Sequence, residues 1–128
     1  KLIEKEKISD YYDKRRKSHV VDVKKLNKVL LEKIRAAKNN LVIDGHLAHF
    51  LPAKYVNLCI ITKCDLKELK KRLIKRKYNR LKIKENIESE IFNVCLGEAI
   101  ELKHNVVAVD TTKGVKNLSA RKLISLCR

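Results

Sequence analysis

The sequence predicts an α/β fold in which helices cover a parallel β-sheet. Three short runs rich in β-branched residues are apolar at nearly every position, at residues 41–44, 55–62 and 106–111. Continuous apolar runs of this length are typical of strands that are buried on both faces. Because helical patterns separate the runs, we expect right-handed β-α-β connections between parallel strands.

Four segments carry helical patterns. Asp22 can cap a helix over residues 23–38, and Asp65 can cap a second helix that extends to residue 77. A third pattern continues without interruption over residues 83–102. In these three segments, apolar residues recur at spacings of three and four, which indicates one buried face per helix. A last helix is predicted to open at Asn117 or Ser119 and to end at Cys127.

Length and composition indicate one domain over residues 1–128. The chain has 128 residues, of which 45% are apolar, and only three glycines and one proline. This is enough for a single core and leaves no room for flexible linkers. The apolar runs fall far short of the roughly 20 residues needed to cross a bilayer. No apolar signal core follows the basic start. We therefore expect a soluble, cytoplasmic protein that does not contact a membrane.

The cysteines do not form a recognisable framework. There are four, Cys59, Cys64, Cys95 and Cys127, and no two of them make a C-x-x-C pair. Cys59 and Cys95 lie inside apolar runs, where small thiols are often buried. Reduced core thiols are therefore expected in preference to disulfides or a zinc site.

The charge is strongly basic. The chain carries 31 Lys and Arg against 15 Asp and Glu, for a formal net charge of +16. Nucleotide, RNA or an acidic protein tail would each be a suitable partner. A lysine-rich composition that serves stability and solubility explains the same excess. Both explanations remain open on this observation alone.

The basic residues concentrate in residues 63–84, where eleven Lys and Arg face only two acidic residues. Arg72, Arg76 and Arg80 are four residues apart, so one continuous helix would direct all three at a single anion. Arginines match phosphate geometry in a bidentate manner. The segment could therefore close over nucleotide phosphates, and the alternative is a solvated basic face.

Ligands of parallel sheets bind beyond the carboxyl ends of the strands. Asp44 and His46 follow the first apolar run, which makes them candidates for magnesium and phosphate chemistry. A carboxylate at a strand end can equally form a turn or cap a helix, and a single histidine is often structural.

Several short motifs occur in a fixed order. Asp-Gly-His stands at 44–46, Arg-Lys-Tyr at 76–78 with Glu-Asn at 85–86, and Asp-Thr-Thr-Lys at 110–113. Asp10, Tyr12, Asp13 and the Val-Val-Asp run at 20–22 fit the same series. In order and spacing the chain resembles archaeal-type members of the adenylate kinase isoenzyme 6 (CINAP-like) family. The resemblance covers nearly the whole sequence.

This resemblance implies a P-loop kinase-like three-layer sandwich with a parallel sheet. It implies adenylate kinase and ATPase activity, with ATP and AMP as substrates and Mg²⁺ as cofactor. It further implies a role in assembly of the small ribosomal subunit, with a small-subunit ribosomal protein and rRNA as partners. The protein would then be a monomer or a heterodimer with that ribosomal protein.

The resemblance also assigns residues to the ATP site. Asp44 and His46 match a Walker-B-like catalytic pair, in which Asp44 serves magnesium through water and His46 positions water or phosphate. Arg76 matches an ATP-binding arginine of the lid, which would span residues 75–85. Lys77 replaces the glycine of the family's Arg-Gly-Tyr motif. Lys113 falls where the family contacts the adenine end of ATP.

The monophosphate side is assigned in the same way. The resemblance makes residues 1–21 the end of the monophosphate-binding region, and it makes Tyr12 and Asp13 the monophosphate-binding residues. We regard this region as part of the same single domain.

One departure from the family is decisive for activity. The motif G-x-x-x-x-G-K-[ST] does not occur in the 128 residues. The resemblance places this motif and the strand before it upstream of Lys1, so we expect the chain as given to be a poor kinase. The alternative function is a non-enzymatic basic module that binds RNA or a ribosomal protein.

The missing strand has a topological consequence. In this kind of kinase it lies between the strand that bears the Walker-B-like aspartate and the strand that follows in sequence. We therefore expect residues 41–44 and 55–62 not to pair with each other. Residues 55–62 should pair in parallel with residues 106–111.

Overall fold

The computed structural model describes residues 2–115 and residue 125. The predicted helix that ends at Cys127 therefore lies outside the described residues, apart from Ser125. The helices are α1 (Leu2–Lys5), α2 (Val23–Ala36), α3 (Leu66–Lys75), α4 (Arg80–Ile91) and α5 (Val94–Glu101). The strands are β1 (Ser9–Asp13), β2 (Ser18–Val21), β3 (Cys59–Lys63) and β4 (Val106–Asp110). Two single 3₁₀ turns occupy Ala48–Phe50 and Ala53–Tyr55.

Helix α2 supplies the largest group of buried apolar residues. Asp22 caps the helix because its Oδ1 accepts hydrogen bonds from the backbone nitrogens of Lys24 and Lys25, at 2.6 and 3.1 Å. Leu26 and Leu30 point inward from the helix and pack in one core with Leu51. The predicted cap and helix are confirmed, although the helix ends at Ala36, two residues before the predicted end.

Strands β3 and β4 pair in parallel, with Ile60 opposite Val107 and Thr62 opposite Val109. Helix α5 contacts both strands, and its Ala99 is fully buried. The predicted pairing between these two apolar runs is confirmed. The apolar run at residues 55–62 enters its strand only at Cys59, since its first residue, Tyr55, ends a 3₁₀ turn.

The prediction of a strand at residues 41–44 is wrong. The segment has no regular secondary structure, and Leu41 and Val42 are 50% and 91% exposed. Only Ile43 packs against the core around α2. A strand requires hydrogen bonds to a neighbour, and among the described residues no strand pairs with this segment. As expected, it does not pair with β3.

The prediction of one helix over residues 83–102 is also wrong. The chain forms α4 and α5, separated at Asn93, whose φ is 51°. Asparagine tolerates this left-handed conformation better than most residues do. Helix α4 starts earlier than predicted because Asn79 caps it, with its Oδ1 accepting from the backbone nitrogen of Lys82 at 2.9 Å.

An antiparallel hairpin formed by β1 and β2 was not predicted. Asp13 organises its turn, because Oδ1 accepts hydrogen bonds from the backbone nitrogens of Arg15 and Arg16 at 2.8 and 3.0 Å. Lys17 completes the turn with a φ of 48°. Aspartate favours turns because its side chain accepts a hydrogen bond from the backbone two residues on, so Asp13 was an indication of this turn in the sequence.

The three described cysteines, Cys59, Cys64 and Cys95, are free and partly buried. Burial raises the pKa of the Cys59 thiol, and nearby Cys95 adds to the effect. No helix in the described part of the chain has the length and apolar character that crossing a bilayer requires.

Candidate active site

The loop after β4 is held in one conformation by its own side chains. Asp110 Oδ1 accepts hydrogen bonds from the backbone nitrogen and the hydroxyl of Thr112, at 2.8 and 2.5 Å. These bonds lower the pKa of Asp110. The Thr112 hydroxyl accepts from the backbone nitrogen of Asp65 at 2.9 Å, which ties the loop to the start of α3. Lys113 follows and is exposed, so its side chain is available to a ligand.

Arg72 joins helix α3 to this loop. Its Nη2 donates to the carbonyl oxygens of Thr111 and Thr112 at 2.8 and 2.9 Å. Its Nε donates to Glu68 Oε1 at 3.0 Å, which fixes the guanidinium from the other side. The basic composition of residues 63–84 drew attention to Arg72 as an anion ligand, but in this structure it positions a loop.

The three arginines at four-residue spacing do not form one stripe. Helix α3 ends at Lys75, and Lys77 takes a left-handed φ of 57° before α4 begins at Arg80. The stripe prediction is wrong because the helix does not continue through residues 76–79. Arg76 caps the end of α3 and is exposed, and its side chain makes no hydrogen bond or ion pair within the described part of the chain.

Asp44 and His46 lie in the irregular segment that leads into the first 3₁₀ turn. Although the His46 side chain is exposed, desolvation by its neighbours lowers its pKa, and nearby Lys82 and His49 lower it further. This places Lys82, within the predicted lid, close enough to influence His46. Asp44 is exposed, and its carboxylate has no hydrogen-bond or ion-pair partner among the residues that the structure describes. The shared site of Asp44, His46 and Arg76 stays a prediction.

Tyr12 and Asp13 differ in availability. The Tyr12 ring is 50% exposed and packs edge-on against His19, with 5.2 Å between ring centroids. The Asp13 carboxylate is occupied, because Arg16 Nη1 contacts Oδ2 at 2.8 Å and backbone nitrogens bind Oδ1. Hydrogen bonds from Arg16 lower the pKa of Asp13. Asp13 therefore orders the hairpin turn, and Tyr12 is the freer candidate for a monophosphate.

The hairpin and the predicted lid contact each other. Asn79 Nδ2 donates to the carbonyl oxygen of Arg15 at 2.6 Å. Arg16 Nε donates to Glu85 Oε1 at 2.8 Å. The two members of each pair are adjacent in space although 64 and 69 residues, respectively, separate them in sequence. Sequence patterns gave no indication of this bridge between the two predicted substrate-binding regions.

A buried histidine pair supports the base of the first 3₁₀ turn. His49 Nε2 lies 2.8 Å from Glu98 Oε2 on α5. His104 Nε2 lies 2.7 Å from the carbonyl oxygen of His49. Both rings are buried and bonded to protein atoms, which indicates a structural role and fixes the segment that carries His46.

The donor set fits the way proteins use magnesium with phosphates. Mg²⁺ prefers oxygen ligands and is commonly held by one or two carboxylates together with water and substrate phosphates. Asp44 offers one exposed, uncommitted carboxylate. Within the described residues no group of three or more His, Cys, Asp or Glu could hold a metal by itself. A nucleotide-dependent magnesium site is therefore the kind that these residues can provide.

Comparison with known families agrees with the fold. A family model described as an AAA domain matches residues 1–93. This match covers most of the chain and defines a protein of the P-loop kinase-like class, with an α/β architecture.

Individual relatives define the family more closely. The chain is 35% identical over 117 residues to the "Putative adenylate kinase" of Methanocaldococcus jannaschii, covering 91% of this chain and 62% of that protein. It is 33% identical over 105 residues to the adenylate kinase isoenzyme 6 homolog FAP7 of Saccharomyces cerevisiae, covering 82% and 52%. The chain belongs to the adenylate kinase isoenzyme 6 family, as its motifs indicated. It spans roughly half the length of the curated relatives it matches.

Proposed function

We propose that this protein is a nucleoside monophosphate kinase and ATPase that catalyses ATP + AMP = 2 ADP. The observation that carries the proposal is the bridge between the hairpin and the predicted lid, through Asn79 and Arg15 and through Arg16 and Glu85. A kinase of this type must bring a monophosphate and ATP together and exclude water. A direct link between the two regions suits that requirement.

Each candidate residue has a role that its surroundings allow. Asp44 would hold Mg²⁺ through water, and the ion would neutralise phosphate charge. His46 would position water or a phosphate as a neutral imidazole, since its pKa is lowered. Arg76 presents an exposed guanidinium that can bind phosphate oxygens in a bidentate manner. Lys113 would contact the adenine end of ATP from the rigid loop after β4, and Tyr12 would contact the monophosphate.

We also propose that the protein acts in assembly of the small ribosomal subunit, beside a small-subunit ribosomal protein and rRNA. The formal charge of +16 supports a polyanionic partner such as rRNA. The family relationship supports the ribosomal role. The competing function is a non-enzymatic basic module that binds RNA or a ribosomal protein, and the same excess of positive charge suits it.

The decisive experiment compares an arginine variant with a lysine variant. Both are made in a form of the protein that carries an upstream G-x-x-x-x-G-K-[ST] segment. Arg76→Ala should lower kcat/KM for ATP by about tenfold or more, because it removes a charged contact to the phosphates. Lys71→Ala removes an exposed charge of the same sign from α3 and should change it less than about twofold. Equal small losses from both variants would contradict the assignment of Arg76.

RNA binding separates the two functions. RNA affinity that falls steeply with salt, in a form that carries the phosphate loop but shows no ATP turnover, would favour the non-enzymatic module. Turnover that depends on both magnesium and AMP would favour the kinase.

A further inference from the structure

Helices α3 and α4 enclose a groove whose lining includes Arg80, Ile83 and Lys84 of the predicted lid but none of the residues assigned to the nucleotide. The groove has a volume of about 790 Å³. Its apolar lining comes from Leu66 and Ile74 on α3 and from Ile83 and Ile87 on α4. Leu66 and Ile74 are eight residues apart and Ile83 and Ile87 four apart, so each pair lies along one face of its helix.

The apolar lining is only partly covered. Ile74 is 55% exposed and Leu66 is 39% exposed, while Ile83 and Ile87 are half-buried. Exposed apolar side chains that cluster in a concave surface with a polar rim are typical of an interaction site. The two rows of apolar residues, one on each helix, fit the helix-in-groove mode, in which a helix inserts residues spaced three and four apart.

The rim of the groove is basic. Lys67, Lys70, Arg80 and Lys84 line it, against a single acidic residue, Glu88. Glu88 is already engaged, since Lys84 Nζ lies 3.6 Å from its Oε1. In the part of the chain that the structure describes, no carboxylate lies within ion-pair distance of Lys67, Lys70 or Arg80. Their charge is therefore available to a partner.

This charge pattern decides among possible occupants. A second copy of the chain would bring a net charge of +16. The chain's own residues 116–128 contain four Lys and Arg and no acidic residue, so they would also meet like charge at the rim. RNA would match the charge, but the aliphatic floor offers no aromatic ring on which bases could stack.

We propose that the groove between α3 and α4 binds an acidic amphipathic helix of a partner protein. Apolar side chains of that helix contact Leu66, Ile74, Ile83 and Ile87. Its acidic side chains pair with Lys67, Lys70 and Arg80 along the rim. Binding at this site does not rest on the proposed kinase activity, because it needs neither ATP nor the residues assigned to the nucleotide, although Arg80, Ile83 and Lys84 belong to the predicted lid.

The test uses a designed 15-residue peptide, labelled with fluorescein, that has Leu at helical spacings of three and four and Glu at the flanking positions. Fluorescence anisotropy with the full 128-residue chain should show saturable binding that weakens as salt rises. Two control peptides accompany it. One has the same composition in scrambled order, and the other keeps the pattern but has Lys in place of every Glu. Neither should bind.

Variants locate the site. Ile74→Ser and Lys70→Glu should each weaken binding of the Leu/Glu peptide by about tenfold, the effect of roughly 1.4 kcal/mol. Lys28→Glu makes the same charge change on the exposed side of α2 and should leave the affinity within about twofold. Circular dichroism of each variant checks that the fold is retained. Equal losses for Lys70→Glu and Lys28→Glu would mean that only net charge matters, and would overturn the proposal.

Four further outcomes would overturn it. One is no saturable binding of the Leu/Glu peptide. Another is equal competition by a peptide of residues 116–128, which would assign the groove to the chain's own segment. The third is full competition by an unstructured RNA oligonucleotide at similar concentration. The fourth is a dimer of the unlabelled protein in sedimentation that the Ile74→Ser substitution dissociates. This would assign the groove to a second copy and contradict an acidic partner.

Discussion

Arg72 is bonded twice to Thr111, from a helix to a loop that lies 39 residues further along the chain. Its Nη2 donates to the carbonyl oxygen at 2.8 Å and its Nη1 to the hydroxyl at 3.3 Å. The Thr111 hydroxyl itself donates to the carbonyl oxygen of Lys63 at 2.9 Å. The end of β3, helix α3 and the loop after β4 are thus joined at one point.

This junction predicts the effect of Arg72→Lys. A lysine keeps the charge but cannot donate to Thr111, Thr112 and Glu68 in one planar arrangement. We expect a loss of about 1–2 kcal/mol of unfolding free energy, since the bonds are charge-assisted but partly exposed. Urea denaturation measures it. Hydrogen exchange at Gly114, whose amide donates to the Thr111 carbonyl, should accelerate. Lys71→Ala is the control, and an equal loss there would contradict the role of Arg72.

Asn79 has two functions that one pair of variants separates. Its Oδ1 caps α4, and its Nδ2 donates to the carbonyl oxygen of Arg15. Asn79→Asp keeps the cap and removes the donor, while Asn79→Ala removes both. We expect Asn79→Ala to cost about 1 kcal/mol more than Asn79→Asp, the usual value of a cap. Backbone NMR should show that both variants change the hairpin turn and only the alanine variant frays α4. Unchanged turn resonances in Asn79→Asp would refute the bridge.

The lowered pKa of His46 predicts its titration. Desolvation is the larger cause and the neighbouring Lys82 and His49 are smaller ones, so the ring should titrate below 6.5 in the folded protein. Because the folded state favours the neutral ring, this group destabilises the protein as pH falls from the ordinary value towards the folded value. NMR of the imidazole protons measures the midpoint. Lys82→Ala should raise it part of the way to 6.5, and Lys28→Ala should not change it. A midpoint above 6.5 would exclude the arrangement.

Asn93 tests the division between α4 and α5. Its φ of 51° suits glycine and, less well, asparagine, but it is costly for a β-branched residue. We expect Asn93→Val to lower the unfolding free energy by about 1–2 kcal/mol, and Asn93→Gly to change it by less than about 0.5 kcal/mol. Thermal or urea denaturation provides both values. If Asn93→Val were neutral, residues 83–102 would form the single helix that the apolar pattern suggested.

Local signals in the sequence were reliable where local chemistry forms the element. Asp22 and Asp65 both cap the helices that they were predicted to cap, each through hydrogen bonds to backbone nitrogens two and three residues later. The β-branched run at residues 55–62 supplies all of β3 except Lys63, and the run at residues 106–111 contains β4. In these cases the decisive contacts are short-range or arise from the high apolar content of the run itself.

The predictions that failed depended on long-range contacts or on a single backbone angle. The apolar run at residues 41–44 fits a strand, but a strand needs a neighbour to accept and donate its hydrogen bonds. The apolar spacing over residues 83–102 fits one helix, but it does not report the left-handed angle at Asn93. The arginines at four-residue spacing would share a stripe only if α3 continued past Lys75.

The sequence by itself determined the family, the α/β class and the identity of the candidate residues, because ordered motifs and apolar periodicity are properties of the linear sequence. Only the tertiary structure decided what those residues contact. It assigned Arg72 to a loop and Asp13 to a turn, and it joined the hairpin to the lid segment through residues more than 60 positions apart. Such pairings arise because packing brings distant segments together, and they produce no residue periodicity in either segment from which they could be predicted.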